Sequence, residues 1–247
     1  MNTATAARES AEYRRARDRL LDSEIALRRQ TEAVAEERRR LPPGPPVPED
    51  YVLQRSGSGE TVRLSTLFGE SNAMLIYCYM YPRHRQDTRD VAAEGETSAL
   101  PRDEQPCPSC TTLLDQLDPA AKAFAAAGGR FVVAADTTPE NLAKTARDRG
   151  WRHLELVSSM GTRFKADHGA IGEDGQQKPM MLAFQRHADG TVRLAWSSEM
   201  VDAPSEPGQD HRATGTLDTF WNLFDLTPGG RPDFQEQLQY SCCHVSP

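Results

Sequence analysis

Apolar and polar positions change their period several times along this chain, and each change marks an element. From Arg8 to Leu41 there is neither glycine nor proline, Arg and Glu dominate, and Tyr13, Leu20, Leu27, Val34 and Leu41 recur at seven-residue spacing with Leu21 and Ile25 beside them. So narrow a stripe predicts one long helix with a single apolar seam and solvated charge elsewhere. A coiled coil fills two heptad positions. With one filled, this helix is expected to lie along its own domain or a partner subunit's, which makes it the candidate contact of a homodimer. Leu41-Pro42-Pro43-Gly44-Pro45-Pro46-Val47-Pro48 ends the helix and predicts a stiff, extended connector.

Short runs replace the helical period beyond the connector. Tyr51-Val52-Leu53 and Thr61-Val62-Arg63-Leu64 flank Ser56-Gly57-Ser58-Gly59 and predict a hairpin, with a helical turn over Leu64-Ser65-Thr66-Leu67-Phe68. Ala73 to Tyr81 carries no charge, as expected of a strand covered on both faces, and Cys78 inside it reads as a small buried hydrophobe. Residues 82–106 are polar and read as a long loop, either covering the two cysteines at 107 and 110 or inserted as flexible chain. Gln105-Pro106-Cys107-Pro108-Ser109-Cys110 opens a helix that Gly128-Gly129 stops, and Arg130 to Asp136 is the next apolar strand. Thr138-Pro139-Glu140 supplies the cap and first turn of a helix ending at Gly150, and Trp151 to Ser158 gives a third strand.

A loop or short helix then passes Phe164, His168 and Ile171. Met180 to Gln185 and Thr191 to Trp196, joined across Asp189-Gly190, predict a second hairpin. Thr216 to Phe224 predicts the last helix; a tail with Phe234 and Tyr240 follows, and Cys242-Cys243-His244 reads as a disordered end. The organisation expected is therefore residues 1–48 as helix and connector, 49–232 as a domain with a loop insertion at 82–106, and 233–247 as a tail.

Bulk properties narrow the function classes. A net charge of −7 argues against nucleic-acid binding, which needs a basic face. No apolar run approaches the ~20 residues of a membrane helix. Met1-Asn2-Thr3-Ala4-Thr5 leads into charge rather than an apolar leader, so a cytoplasmic address is expected. Five cysteines in 247 residues are too few for a disulfide scaffold, and that compartment keeps thiols reduced.

The chemistry then centres on Cys107 and Cys110. A helix start offers unpaired N–H groups and partial positive charge, both of which favour a thiolate. Cys107, nearer the start and expected to be the more exposed, is the candidate nucleophile. Cys110, one turn further in, is the candidate resolving thiol. Pro108 suits the first helical position.

The order of strand, Cys-x-x-Cys helix, strand, helix, X-Pro hairpin and last helix resembles the thioredoxin fold. The resemblance implies an α/β class, a central mixed sheet flanked by helices, here with a long N-terminal helical extension. Pro179, in Lys178-Pro179, stands where that fold keeps a cis-proline beside the dithiol to pair with an extended substrate. More closely, residues 8 to 232 resemble the DUF899 family, described as predicted dithiol–disulfide oxidoreductases. Its features here are Arg38-Arg39-Arg40-Leu41-Pro42, the strand Met74 to Tyr81, Cys107-Pro108-Ser109-Cys110, Gly150-Trp151, Val157-Ser158-Ser159, Phe164 with Asp167-His168, and Leu223 to Arg231.

The resemblance implies catalysis by Cys107 and Cys110, substrate contacts from Pro108, Ser109, Pro179 and His168, and no cofactor or metal. The implied partners are a disulfide-containing or electrophilic substrate, including a small-molecule or biosynthetic one, and a thiol reductant. Neither nucleic acid nor membrane is expected. Two departures stand out: no carboxylate interrupts Ala73 to Tyr81, so His168 is the candidate proton source, and Pro106 replaces the tryptophan that usually precedes the first cysteine. Three alternatives remain open at this point: a peroxide- or electrophile-processing thiol enzyme resting on Cys107, a zinc or copper site joining Cys107 and Cys110 to Cys242, Cys243 or His244, and a non-catalytic interaction protein.

Overall fold

The computed structural model describes residues 9–207, 209, 212 and 214–240. It divides into two compact units, Met1–Pro42 and Pro43–Pro247. In the first, helix α1 spans Ala11–Arg39; the Ser10 side chain caps it by accepting the Tyr13 N–H, and Arg38 and Arg39 occupy its last turn. Ion pairs such as Arg14–Asp18 and Arg39–Glu36 run along its surface. None of its residues is buried, so these exposed pairs add only a few tenths of a kcal/mol each.

The second unit is built on one seven-stranded sheet. Its strands are β1 (Val52–Arg55), β2 (Thr61–Arg63), β3 (Ala73–Tyr79), β4 (Phe131–Ala135), β5 (Glu155–Ser158), β6 (Met181–Arg186) and β7 (Val192–Ser197), in the spatial order β2-β1-β5-β4-β3-β6-β7. The pairs β3–β4 and β4–β5 are parallel, and the remaining pairs are antiparallel. Helices α2 (Leu64–Leu67), α3 (Pro108–Ala126), α4 (Pro139–Arg149), α5 (Phe164–Asp167) and α6 (Thr219–Asp225) complete it. A β3-α3-β4-α4-β5 run followed by the antiparallel β6–β7 hairpin is the thioredoxin-like arrangement.

The uncharged strand β3 lies inside the sheet, and its alternation divides the core. Met74, Ile76 and Cys78 join one apolar cluster with Leu53, Phe68 and Phe164, while Tyr77 and Tyr79 join the other with Cys107, Cys110, Leu114 and Trp151. Successive strand residues face opposite sides. That parity puts two tyrosines under the dithiol helix and Cys78 on the far face.

Element ends have local causes. Strand β3 stops two residues short of Tyr81, whose N–H turns back to the Tyr79 carbonyl ahead of the cis Tyr81–Pro82 bond. Strand β5 begins at Glu155 rather than Trp151, because one carboxylate oxygen of Asp118 on α3 accepts the N–H groups of Arg152, His153 and Leu154 at 2.9, 2.8 and 3.1 Å. Gly150 ends α4 in the left-handed region at φ 70°, where glycine carries no Cβ penalty.

Residues 82–106 are tied down along their length. The Asp148 carboxylate accepts the Glu96 and Thr97 N–H groups at 2.9 and 2.7 Å, and the Gln105 side chain bonds Ala92 N–H and Leu100 O. The tail is likewise packed as far as it is described. Leu238 is buried, its carbonyl accepts from Arg149, and the Gln239 side chain joins Ala93 and Glu94 in the loop. Cys242, Cys243 and His244 lie outside the described residues.

Replacing Asp118 by alanine leaves three backbone donors without this acceptor and is expected to destabilise the second unit by about 3 kcal/mol in denaturant unfolding. Asp118→Asn, which keeps the oxygen, is expected to lose less.

Candidate functional site

The site is assembled where the start of α3 meets the end of β3. Cys107 is the cap residue of α3 in extended conformation, and Pro108 takes the first helical position. The Cys107 N–H donates to Met80 O at 2.9 Å, while its carbonyl accepts from Thr111 N–H at 3.0 Å and Thr111 Oγ1 at 2.8 Å. With that proton committed, the Tyr79 hydroxyl donates to Thr111 Oγ1 at 2.6 Å. Four contacts thus hold the backbone beneath the first sulfur.

Cys107 and Cys110 are free thiols brought together at this corner. They are 1% and 2% exposed, so the expectation that Cys107 is the more exposed is corrected. Loop and tail close over it. Arg89 from the loop donates through Nη2 to Cys107 Sγ at 3.5 Å and through Nη1 to Ser109 Oγ at 2.6 Å, and its ion pair with Asp87 is 2.7 Å long. From the tail, the Glu236 carboxylate accepts from Ser109 Oγ at 3.0 Å and from Trp221 Nε1 at 2.9 Å.

The electrostatics set the two thiols apart. The Cys107 pKa falls to about 7: a hydrogen bond from the Cys110 side chain lowers it most, burial opposes, and the Cys110 N–H and the Arg89 charge lower it further. Burial, then the neighbouring Cys107, pushes the Cys110 pKa well up. The hydroxyl of Tyr77, itself buried, is set against the Cys110 sulfur. One thiol is thereby poised to ionise at neutral pH and the other to hold its proton.

A cavity of about 490 Å³ opens beside the pair. Met80, Leu113, Pro179, Trp221 and Phe234 provide apolar walls, and Tyr77 and both cysteines line it as well. Pro179 is therefore at the dithiol, but its peptide bond is trans: among the described residues only Tyr81–Pro82 is cis. Pro108 is buried within α3, while Ser109 reaches the cavity.

His168 does not reach the dithiol, which corrects its assignment as proton source and substrate contact. Its Nδ1 is 2.7 Å from Phe164 O, and the rings of Tyr51, Phe164 and Phe184 enclose it in the core on the other face of the sheet. Burial lowers its pKa. The residues that take its place, Tyr77, Asp87, Arg89, Trp221 and Glu236, were not singled out by sequence. Tyr77 alone left a signal, one residue from Cys78 and therefore on the opposite face. The charges of loop and tail leave none, because their meeting is set by tertiary folding.

Among the described residues no group of three or more His, Cys, Asp or Glu side chains is arranged to hold a metal, and no described helix is long and apolar enough to cross a membrane.

No curated protein sequence matches the chain. Similar solved structures include a hypothetical protein of Sinorhizobium meliloti 1021 at 16% identity, with 70% of this chain and 79% of that one covered and a TM-score of 0.44. Another is peroxidoxin BcpB of Mycobacterium tuberculosis, at 19% identity, 73% and 98% coverage and a TM-score of 0.42. A third is a cysteine-to-serine mutant of PrxQ from Xylella fastidiosa, at 12% identity, 73% and 96% coverage and a TM-score of 0.44. A family described as "Bacterial protein of unknown function (DUF899)" matches residues 2–244, and the chain therefore belongs to the DUF899 family.

Proposed function

We propose that this protein is a dithiol–disulfide oxidoreductase with Cys107 as nucleophile and Cys110 as resolving thiol. The observation that carries the reading is geometric: Cys107 caps α3, Cys110 follows three residues on, both line one cavity, and the Arg89 guanidinium lies 3.5 Å from the Cys107 sulfur. The Cys107 thiolate attacks one sulfur of a substrate disulfide, forming a mixed disulfide and expelling the other sulfur as thiolate. Cys110 then gives up its proton and attacks the Cys107 sulfur. That step releases the second substrate thiolate and leaves a Cys107–Cys110 disulfide. An external thiol reductant returns two electrons, and no cofactor enters the cycle.

Cys110 needs help to lose its proton, since burial favours the neutral thiol. No carboxylate stands on β3 for this purpose. The proton passes to the substrate thiolate expelled in the first step, the Tyr77 hydroxyl stabilises the developing Cys110 thiolate by hydrogen bonding to it, and Pro179 and Ser109 line the approach.

A second reading has its own support in Arg89, whose guanidinium lies 3.5 Å from the nucleophile. Such a donor polarises a peroxide oxygen as well as a disulfide. Cys107 then becomes a sulfenic acid as the peroxide leaves as alcohol, and Cys110 condenses with it and releases water. First-turnover peroxide consumption that survives Cys110→Ser and is lost in Cys107→Ser would select this reading.

Disulfide exchange predicts that Cys110→Ser accumulates a mixed disulfide at Cys107, visible by intact mass, and that Cys107→Ser forms none. The rate of Cys107 alkylation should be half-maximal near pH 7, with the reactive thiolate present above that point and lost as pH falls through it. Arg89→Met should move this midpoint upward and slow alkylation at neutral pH by about threefold. Tyr77→Phe should leave the midpoint in place and slow resolution of the mixed disulfide by about tenfold.

A further inference from the structure

We infer that the cavity beside Cys107 binds a low-molecular-weight disulfide with an apolar or aromatic substituent, and that it excludes disulfides of folded proteins. The inference rests on the exchange reading and names the substrate class of that site.

Access comes first. Cys107 is 1% exposed and lines the cavity, so a substrate sulfur has to enter the cavity to be attacked. A protein disulfide arrives with two backbones, whose Cα atoms lie only about 4.4–6.8 Å apart. Attack requires the reacting sulfurs within about 3.5 Å, which would carry both backbones past the rim.

Bonds among the surrounding segments narrow the rim. The Glu236 carboxylate accepts from Ser109 on α3 and Trp221 on α6, and the Glu236 backbone carbonyl accepts from Arg89 of the loop at 3.4 Å. Three segments distant in sequence are thus bonded to one another across the face a protein partner would need. Gln239, bonded to Ala93 and Glu94, adds a second tie between tail and loop.

The walls show what does fit. About 490 Å³ lies within the range of small-molecule sites, which are mostly apolar with a few fixed polar groups. The Trp221 and Phe234 rings provide two aromatic surfaces, with Met80 and Leu113 beside them. Arg89, Arg212, Arg231 and Glu236 supply the polar groups, the Arg231 guanidinium lying 5.5 Å from the Trp221 ring centroid. Asp218 adds a half-buried carboxyl whose pKa burial raises. The substrate R–S–S–R takes two electrons from the dithiol and leaves as two R–SH, and the Cys107–Cys110 disulfide that remains is reduced again by an external thiol.

The full chain, reduced and freed of reductant, is mixed in single turnover with dithiobis(nitrobenzoate), bis(hydroxyethyl) disulfide or insulin. Oxidation of the dithiol is followed by quenching and mass, and each rate is divided by that of free dithiothreitol with the same disulfide. The aromatic disulfide is expected to exceed insulin by about tenfold on this scale. Trp221→Ala and Phe234→Ala should each slow the aromatic disulfide by about fivefold. In each variant the aromatic disulfide should lose more rate than bis(hydroxyethyl) disulfide does, and the Cys107 alkylation midpoint shows whether the site is still folded.

Insulin reacting as fast as the aromatic disulfide, or both variants behaving as wild type, overturns the inference and leaves exchange standing. If no disulfide oxidises the pair while Cys107 still alkylates, the exchange reading falls instead.

Discussion

Everything at the site depends on where helix α3 begins. The Cys107 N–H bonded to Met80 O fixes the helix start against the end of β3, and the Thr111 side chain, held by Tyr79, fixes the next turn. Because Cys107 is the cap residue, the Cys110 N–H in the first turn acts on its sulfur, and the Cys110 sulfur follows one turn deeper. Shifting this start by one residue would change which N–H groups face the Cys107 sulfur.

Burial then separates two chemically identical groups. Removal from water penalises both thiolates; Cys110, its N–H and the Arg89 guanidinium compensate Cys107, whereas for Cys110 the Tyr77 hydroxyl and a Met80 backbone hydrogen bond are outweighed by burial and the neighbouring Cys107. Arg89 is itself desolvated, and the Asp87 hydrogen bonds hold it in place and charged. Asp87 ionises despite burial because Arg89 bonds it in return. Loop 82–106 is thus part of the electrostatics of the dithiol.

The regular elements were legible because their periods and caps are local. The charge-free run at β3, the Thr138-Pro139 start and Gly150 end of α4, and the Asp-Gly turn between β6 and β7 each state an element within a few residues. Cys107 and Cys110 were legible for the same reason, since spacing and a helix start suffice. Arg89 and Glu236 were not. They lie 18 and 129 positions from Cys107, among many similar charges, and only the closed fold brings them to it. His168 misled in the opposite sense: sequence shows its neighbours in the chain but not which face of the sheet they fill. The exposure expected of Cys107 failed likewise, because helix position alone does not show what folds over the helix end.

Strand parity has one further consequence. A third thiol, Cys78, is adjacent in sequence to Tyr77 at the dithiol's floor, yet faces the opposite core, where burial pushes its pKa up to about 12. The sheet therefore acts as an insulating layer between two pools of sulfur, one beside the cavity and one in the opposite core. A covalent link from Cys78 to either of the others requires that layer to come apart. Such a link would be a chemical record that the domain had opened, distinct from any trace left by turnover.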